Sequence, residues 1–336
     1  MCTRPMSSGK TVNNSSLTSR DETVDSALRP TSFGDYVGQK RIKENLQMMI
    51  GAAQKRDESI DHLLFYGQAG LGKTTLAIIV AKEMGAEIKI TSGPVLEKTG
   101  DLAAILSTLE EGDVLFIDEA HRINRTIEEM LYPAMESRKL HLIIGKGPAA
   151  RMMTLDLPQF TLIAATTRVN LLSSPLRSRF GGMFKLDYYT NSDIEKIIRR
   201  SASILGVNIN DEAINIIASA SRFTPRIANR LLKRVRDLSQ VNNQEKVNVQ
   251  LAKKVLSMFE IDELGLEDHD RKLLKMIIEK FNGGPVGLSS LAAALGEDRD
   301  TIEEVYEPYL LKTGFLVRTS HGRMATDTAK NHIYKN

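Results

Sequence analysis

A glycine-rich loop that ends in a lysine and two threonines is the first stretch of the sequence whose side chains can do chemistry. It runs from Gly67 to Thr75 with the spacing glycine, four residues, glycine, lysine, threonine. Glycines let the backbone curl until successive N–H groups point at one spot, and a helix that begins there adds the positive end of its dipole. Lys73 supplies a mobile positive charge for the β- and γ-phosphates, and the Thr74 hydroxyl is a suitable Mg²⁺ ligand. The loop therefore predicts a site for a nucleoside triphosphate with Mg²⁺.

The alternative interpretation is a glycine-rich turn with an incidental lysine. An apolar run, Leu63–Tyr66, ends directly before the loop, and an apolar helical pattern starts directly after it. A phosphate-binding loop needs a strand before it and a helix after it, so this context favours the phosphate site.

Two adjacent carboxylates provide the second half of the predicted site. Asp118 and Glu119 end an apolar run that begins at Val114. Asp118 at the strand end can hold Mg²⁺ through water, and Glu119 can polarise the water that attacks the γ-phosphate. Taken alone, two acidic residues at the end of a strand are more often solvent-exposed side chains with no catalytic role. The phosphate-binding loop earlier in the chain favours the catalytic interpretation.

Length, composition and charge restrict the class of protein. The chain has 336 residues, which predicts two or three domains. Its single cysteine, Cys2, cannot form an internal disulfide, and no Cys/His cluster has zinc-ligand spacing. No apolar run reaches the roughly 18–20 residues that span a bilayer, so we expect a cytoplasmic protein with no membrane contact. A net charge of +3 is too small to argue for nucleic acid by itself.

The elements that must position these residues follow from the apolar pattern. Residues 1–27 are rich in Ser, Thr and Asn, and we expect a flexible tail. Over residues 28–189, short apolar runs alternate with helical segments, which predicts an α/β fold with a parallel sheet covered on both faces. The expected strands are 62–66, 87–92, 113–119 and 160–168.

The strands stop after about residue 190. Residues 190–261 predict a small helical domain, with Ser192 and Asp193 as caps of its first helix, a second helix over 211–222, a third from Pro225 and a fourth over 248–259. Residues 262–336 predict further helices and a short hairpin around 319–322, an order typical of a winged helix.

Longer strings of residues extend these motifs. The third strand of the site ends in Thr166 and Thr167, and SPLRSRFGG follows over 174–182. With YVGQ, DHLLFYGQAGLGKTTLA, VLFIDEAHRI, GPAAR, TPRIANRLLKRVRD and GGPVGLSSLAAALGE, the sequence resembles the RuvB family of AAA+ ATPases over about residues 28–330. The resemblance implies a AAA+ P-loop core, a helical lid domain and a C-terminal winged helix.

The resemblance also implies where ATP lies and which residues touch it. In this family ATP and Mg²⁺ are held between neighbouring subunits of a homohexameric ring. Thr167 would take the sensor position and orient the attacking water, Arg226 would be a second sensor that reaches from the helical domain, and Arg179 would be the arginine finger for the neighbour's ATP. We favour Arg179 over Arg177 because the family places the finger just before the phenylalanine. The remaining implied ATP contacts are Leu28, Arg29, Gly70, Lys73, Thr74, Thr75, Glu136, Ser137, Arg138 and Tyr189.

The implied activity is ATP-driven branch migration of four-way (Holliday) junctions in recombination and repair. The apolar hairpin over 140–157 would bind the partner RuvA, although its apolar residues could equally be core, and the resolvase RuvC would join a larger complex. Arg318 and Arg323 flank the C-terminal hairpin turn and would contact the phosphates of duplex DNA, although winged helices also serve as protein-interaction modules.

The sequence departs from the family pattern at a few positions. Gln68 and Ala69 replace two prolines, Ala164 replaces a glycine, and His321 replaces an arginine. Phe223 replaces the glycine before Thr-Pro-Arg, and a residue of this bulk two positions before Pro225 could shift Arg226. None of these changes removes a catalytic group. Two other functions stay open: a AAA+ loader or initiator that is gated by ATP, and a scaffold in which ATP only holds the assembly together. The intact Glu119 and Arg179 argue against the scaffold.

Overall fold

The computed structural model describes residues 24–144 and 151–335. The expected tail up to residue 23 and the Gly-Lys-Gly-Pro turn of the apolar hairpin lie outside the described residues. Residues 24–28 are helical, and the Asp25 carboxylate lies 2.6 Å from the Nζ atom of the largely buried Lys233. Residues 24–28 are thereby attached to the helical region.

A five-stranded parallel sheet forms the centre of the first half, as the apolar runs predict. Its strand order is β2-β3-β6-β1-β7, and every neighbouring pair is parallel. The four predicted strands are present. The edge strand β7 was not predicted because its sequence, GMFK, has only two consecutive apolar residues between a glycine and a lysine. The bounds are β1 Leu63–Tyr66, β2 Ile88–Ser92, β3 Val114–Asp118, β6 Thr161–Thr166 and β7 Gly182–Lys185.

Helices cover both faces of this sheet. Side chains alternate along a strand, so Leu63 and Phe65 join one apolar cluster while Leu64 joins the other. The two clusters confirm the predicted α/β fold with a parallel sheet buried on both sides. The helices of this part are Lys40–Arg56, Lys73–Glu83, Thr99–Leu106, Arg125–Ser137 and Ser174–Arg177, with short 3₁₀ turns at Gly93–Val95, Ala120–Arg122 and Val169–Leu171.

The helical region packs into the same apolar cluster as one face of the sheet. Its first helix is capped by Thr190, whose side chain accepts a hydrogen bond from the Asp193 N–H, so the prediction of Ser192 and Asp193 as caps was wrong by two residues. The second helix ends at Ser219, earlier than expected, because Arg222 and Phe223 take left-handed backbone angles. The helices are Asn191–Ile204, Asp211–Ser219, Pro225–Val241 and Val249–Met258.

The C-terminal region has an apolar cluster of its own and the predicted hairpin. Strands β8 and β9 pair in antiparallel register around the turn at 319–322, with Arg318 opposite Arg323. The helices are Asp268–Lys275, continued as π-helix by Met276–Lys280; Leu288–Leu295; Arg299–Thr301, continued by Ile302–Tyr306 and Glu307–Lys312; and Asp327–Lys335. The strands are β8 Leu316–Thr319 and β9 Gly322–Ala325.

The apolar hairpin stands apart from the central sheet. Its strands, β4 (Lys139–Ile144) and β5 (Arg151–Asp156), form a separate two-stranded sheet within the described residues. Met152 and Met153 are exposed, so they are not core residues. Among the described residues, no helix is both long and apolar enough to cross a membrane.

Candidate active site

The glycine-rich loop leaves β1 and curls as the sequence predicts. Gly67 has φ 140°, and a Cβ atom there would lie 2.5 Å from the Leu186 carbonyl oxygen, so only glycine fits. The Lys73 ammonium donates hydrogen bonds to the carbonyls of Gly67 (2.8 Å) and Gln68 (2.9 Å). Thr74 and Thr75 lie half-buried in the first turn of the helix that begins at Lys73. The loop, the lysine and the helix N-terminus thus form the cradle that a triphosphate requires.

The Lys73 ammonium is largely buried, and burial disfavours its charge. Its pKa falls from the usual 10.5 to about 8, chiefly through lost hydration, while the nearby Asp118 carboxylate opposes the fall. Without a nucleotide, the lysine therefore titrates at mildly alkaline pH.

We expect ATP to bind more weakly as the pH rises above about 8. Below this pH the free protein already carries the charged lysine, whereas above it a proton must be taken up on binding, so the Kd rises by up to about tenfold per pH unit. The measurement is ATP affinity by calorimetry from pH 6.5 to 9.5. Since a phosphate monoester loses its last proton near pH ~6, ATP does not produce this dependence.

The matched control for this titration is Lys73→Arg. Arginine stays charged throughout this pH range, so the variant should bind ATP with an affinity that does not change above pH 8. An equally steep pH dependence in Lys73→Arg would remove Lys73 as its source.

The two carboxylates lie beside the loop at the end of β3. The Thr74 hydroxyl donates to an Asp118 carboxylate oxygen at 3.0 Å, so the two predicted metal ligands are adjacent. Among the described residues, no cluster of three His, Cys, Asp or Glu side chains forms a self-sufficient metal site. Mg²⁺ favours few protein oxygens together with phosphate and water, and the Thr74–Asp118 pair fits that donor set.

Glu119 takes an unusual backbone conformation directly after Asp118. Its φ is 47°, and its N–H donates to an Asp118 carboxylate oxygen at 2.9 Å. A Cβ on Gly93 would lie 2.4 Å from the Glu119 carbonyl oxygen, so a close approach by that glycine accompanies the turn. The Glu119 carboxylate is exposed and lies 3.3 Å from Arg122. The turn therefore directs Asp118 toward Thr74 and leaves the Glu119 carboxylate accessible to solvent.

The two threonines at the end of β6 differ in their surroundings. Strand β6 lies between β3 and β1, so Thr167, which follows its last residue, comes out between the two carboxylates and the phosphate loop. Thr166 is fully buried; its hydroxyl is 3.0 Å from Nδ1 of His121 and accepts from the Arg168 N–H at 3.0 Å. Topology thus brings Thr167 to the same sheet edge as the carboxylates and the phosphate loop, while Thr166 holds the strand end.

Two tyrosines hold the phosphate loop from beneath. The hydroxyls of Tyr189 and Tyr36 both donate to the Leu71 carbonyl, at 3.1 and 3.3 Å. Burial raises the pKa of Tyr189 to about 12 and also raises that of Tyr36, so both stay neutral donors. Tyr189 therefore touches the loop backbone, and Tyr36 is a supporting residue that sequence reasoning missed because it lies 35 positions before Leu71.

The helical region reaches the loop through Arg226. A Cβ on Gly70 would lie 3.0 Å from the Arg226 Cβ, so the predicted second sensor stands directly over the loop with an exposed side chain. Leu28 is buried, and its carbonyl accepts from Arg200 at 2.8 Å, while Arg29 beside it is exposed. The N-terminal segment is thereby attached to the helical region.

Phe223 does not keep Arg226 away from the loop. It takes φ 57°, next to Arg222 at 53°, and its ring lies between those of Tyr188 (6.5 Å) and Tyr309 (6.1 Å). The buried Arg222 guanidinium lies 3.1 Å from the fully buried Asp270 carboxylate. The bulky residue therefore fills a seam between the helical and C-terminal regions.

Arg179 and Glu136 lie together, and in the described part of the chain their hydrogen bonds and ion pairs do not involve the phosphate loop. The Arg179 guanidinium is 2.9 Å from a Glu136 carboxylate oxygen and donates to the Pro175 carbonyl at 2.6 Å. Ser137 bonds back to the Pro133 carbonyl, and Arg138, at φ 55°, ends the helix. The predicted ATP contacts thus form two groups, one around Lys73 and one around Arg179.

The two hairpin arginines share one carboxylate. Glu307 has no exposed side-chain surface; Arg323 bonds it at 2.7 Å and Arg318 contacts it from the other side. Arg323 is 14% exposed and also pairs with Glu303 at 2.8 Å, whereas Arg318 is 46% exposed. Arg318 is therefore the more accessible of the two to a phosphate.

Comparison with known families covers almost the whole chain. The profile of the Holliday junction DNA helicase RuvB P-loop domain matches residues 28–186. The RuvB AAA lid domain matches 189–262, and the RuvB C-terminal winged helix domain matches 263–334.

Individual relatives agree with these profiles. The chain is 55% identical over 312 residues to the Holliday junction branch migration complex subunit RuvB of Fusobacterium nucleatum, covering 93% of this chain and 94% of the relative. The subunit of the same name from Chloroflexus aurantiacus is 56% identical over 315 residues, covering 94% and 90%. The solved structure of the Thermotoga maritima RuvB Holliday junction branch migration motor superposes with a TM-score of 0.84 at 50% identity, covering 92% of this chain and 98% of that one.

The phosphate loop with its two carboxylates, the matched lid and winged-helix profiles and the identity to these relatives lead to one conclusion. The chain belongs to the RuvB family of AAA+ ATPases.

Proposed function

We propose that this protein is a ring-forming, Mg²⁺-dependent ATPase that moves duplex DNA and drives branch migration of Holliday junctions in recombination and repair. The observation that carries the proposal is the division of the site into two groups. Lys73, Thr74 and Asp118 form a nucleotide pocket, while the Arg179 guanidinium is bound elsewhere in the same chain. A second copy that brings its Arg179 to this pocket completes the site.

The residues around Lys73 suit a phosphoryl transfer to water. The loop N–H groups and Lys73 bind the β- and γ-phosphates. Thr74 and Asp118 would hold Mg²⁺, which would supply further positive charge for the phosphates. Glu119 accepts a proton from the water whose oxygen bonds to the γ-phosphorus, while the bond from that phosphorus to the β–γ bridging oxygen breaks. Thr167 orients the water, and Arg226 contacts the γ-phosphate from the lid.

Assembly of a homohexamer brings one more positive group, the Arg179 guanidinium of a neighbouring subunit, to each nucleotide pocket. Arg179 from the adjoining subunit stabilises the charge that spreads over the γ-phosphate oxygens. The C-terminal end of the helix Arg125–Ser137 carries Glu136, Ser137 and Arg138. These residues would approach the neighbour's nucleotide together with Arg179. ATP hydrolysis then depends on the arrangement of subunits in the ring. This dependence distinguishes a motor from a scaffold in which bound ATP only stabilises the assembly.

The partners follow from the same proposal. The hairpin over 140–157, with its exposed Met152 and Met153, is the surface for RuvA. RuvC joins the larger complex, and the cytoplasm is the expected compartment. The winged helix holds the phosphates of the junction arms.

We expect Arg318→Ala to weaken DNA binding equally for all sequences. Each lost phosphate contact lowers the slope of log K against log salt concentration by about 0.9. Arg318→Lys keeps the charge, so it should keep the slope. Fluorescence anisotropy between 50 and 300 mM salt measures both, and an unchanged slope in Arg318→Ala would take Arg318 out of the interface.

The function is tested on synthetic four-way junctions with ATP, Mg²⁺ and RuvA, with the strand products resolved on a gel. Branch migration that needs ATP hydrolysis and both proteins supports the motor. Loading of the protein on the junction without strand exchange would favour a AAA+ loader instead, and no ATP turnover at all would favour the scaffold.

A further inference from the structure

Three side chains on one face of the helix Arg125–Ser137 point at the turn that carries Arg179. Glu128, Tyr132 and Glu136 are spaced four residues apart, so they form a single stripe along the helix. We call them the finger stripe. Only Glu136 belongs to the ATP contacts that the family resemblance implies, and the role of the other two is open.

Tyr132 supports the guanidinium from its flat side. The Arg179 guanidinium carbon lies 4.4 Å from the centre of the Tyr132 ring, which is a cation–π contact. On the same guanidinium, Glu136 binds one terminal nitrogen and the Pro175 carbonyl binds the other. The Arg179 Nε is buried without a hydrogen-bond partner, so the ring and the two oxygens are what orient the group.

The position of the Tyr132 ring is itself fixed. Its hydroxyl lies 2.9 Å from the Ser173 hydroxyl, and the Ser173 hydroxyl in turn contacts the Glu128 carboxylate, which also accepts from the Ser173 N–H at 3.2 Å. A carboxylate can only accept, so Ser173 donates its single proton to Glu128 and Tyr132 must donate to Ser173. Every hydroxyl proton in the chain of contacts is therefore assigned.

The same serine begins the turn that carries the finger. The Ser173 hydroxyl accepts from the Leu176 N–H at 3.2 Å and so caps the helix Ser174–Arg177, and the Arg179 N–H bonds the Leu176 carbonyl at 3.2 Å. One network thus runs from Glu128 through Ser173 to both Tyr132 and the Arg179 backbone.

We propose that the finger stripe positions Arg179 for the neighbouring subunit's ATP, with Tyr132 as the main positioning residue. Glu128 fixes the position of Ser173, and Ser173 fixes the Tyr132 ring. The ring in turn fixes the plane of the Arg179 guanidinium. Glu136 binds this guanidinium until the neighbour's γ-phosphate replaces the carboxylate. The inference rests on the proposed role of Arg179 in trans. A misplacement of a catalytic group by about 1 Å can lower the rate ~100-fold. Loss of the Tyr132 ring should therefore lower ATP turnover and leave ATP affinity unchanged.

The test compares Tyr132→Leu with Tyr132→Phe, each alone and mixed with Lys73→Ala subunits. Tyr132→Leu loses the ring, and we expect the kcat for ATP to fall by ~100-fold at unchanged KM and unchanged oligomer size. Tyr132→Phe keeps the ring and loses only the bond to Ser173, so its kcat should fall by only ~3- to 10-fold. Glu129→Gln is the matched control: Glu129 lies on another face of the same helix, 3.0 Å from Arg125, and its loss should leave kcat unchanged.

Mixing separates positioning from damage to the fold. A Tyr132→Leu subunit keeps its own pocket, so a neighbouring Lys73→Ala subunit with an intact finger should restore turnover. Arg179→Ala, treated in the same way, reports on the trans finger itself.

Each outcome has one meaning. Rescue of both variants supports the inference. If Arg179→Ala is rescued while Tyr132→Leu is fully active alone, or inactive and not rescued, Tyr132 does not position the finger and the inference is overturned while the proposed function stands. If Arg179→Ala itself is not rescued, the trans finger fails and the inference fails with it.

Discussion

Replacing Arg179 by alanine is expected to lower ATP turnover by ~10³- to 10⁵-fold while ATP still binds. The reason is electrostatic: the variant keeps Lys73, Thr74 and Asp118 in its own pocket and loses only the cation it offers to its neighbour. The pair with Glu136 does not oppose delivery strongly, because Glu136 is 59% exposed and such pairs contribute ~0.2–1 kcal/mol. Turnover at saturating ATP and ATP affinity, measured on the same preparation, separate the two effects.

The control for Arg179 is its neighbour Arg177, two residues earlier in the same turn. Arg177→Ala removes a half-buried cation from the same segment without removing the guanidinium that contacts Glu136 and Tyr132. We expect a change in turnover of no more than about tenfold, from slight loosening of the turn. If Arg177→Ala is as inactive as Arg179→Ala, the assignment of the finger to Arg179 has to be revised.

A second check is the dependence of turnover on protein concentration. Because the finger comes from another subunit, specific activity should fall when the ring is diluted until it dissociates. Full activity in a monomeric preparation would contradict delivery in trans, whatever the variants do.

Local patterns made the centre of the fold predictable. The strands β1, β3 and β6 are apolar runs of four to six residues, and the phosphate loop and the two carboxylates follow directly after β1 and at the end of β3. Their type and order could be predicted because each depends on neighbours in sequence. Strand β7, Gly182–Lys185, was missed because it has only two consecutive apolar residues, and its pairing with β1 determines its conformation.

Contacts between distant residues explain what sequence reasoning missed in the site. Tyr36 and Tyr189 meet at the Leu71 carbonyl, and His121 meets Thr166 across 45 positions. No spacing rule predicts such pairs, because the sheet and the helical region bring them together. The surroundings of Phe223 could not be predicted for the same reason: its partners, Tyr188 and Tyr309, come from two other parts of the chain.

The C-terminal region contacts both candidate sensor segments. Arg168, the residue after Thr167, pairs with Asp300 at 3.5 Å and also contacts Glu304. Arg222, four residues before Arg226, pairs with Asp270 inside the protein. Separating a buried ion pair of this kind leaves an uncompensated buried charge, which costs free energy, so the seam resists partial opening. The region that would hold DNA is therefore attached directly beside the two residues that would sense the γ-phosphate.

Replacing Glu119 by glutamine is expected to yield a protein that binds ATP and scarcely hydrolyses it. Glutamine keeps the shape of the side chain and cannot accept a proton from water, so turnover should fall by ~10²- to 10⁴-fold. ATP affinity should stay unchanged, because the loop and Lys73 are untouched. Turnover is measured with a phosphate-release assay, and ATP binding by the rise in the melting temperature with nucleotide.

The control is Arg122→Ala, which removes the present partner of Glu119. Both side chains are more than half exposed, and a surface pair of this kind holds its members with only ~0.2–1 kcal/mol. Arg122→Ala should therefore change turnover by no more than about fivefold, since the left-handed backbone at Glu119, and not Arg122, directs the carboxylate. If Glu119→Gln hydrolyses ATP at the normal rate, the proton acceptor is another group, and Asp118 would be the first to examine because it lies next to Thr74 at the same strand end.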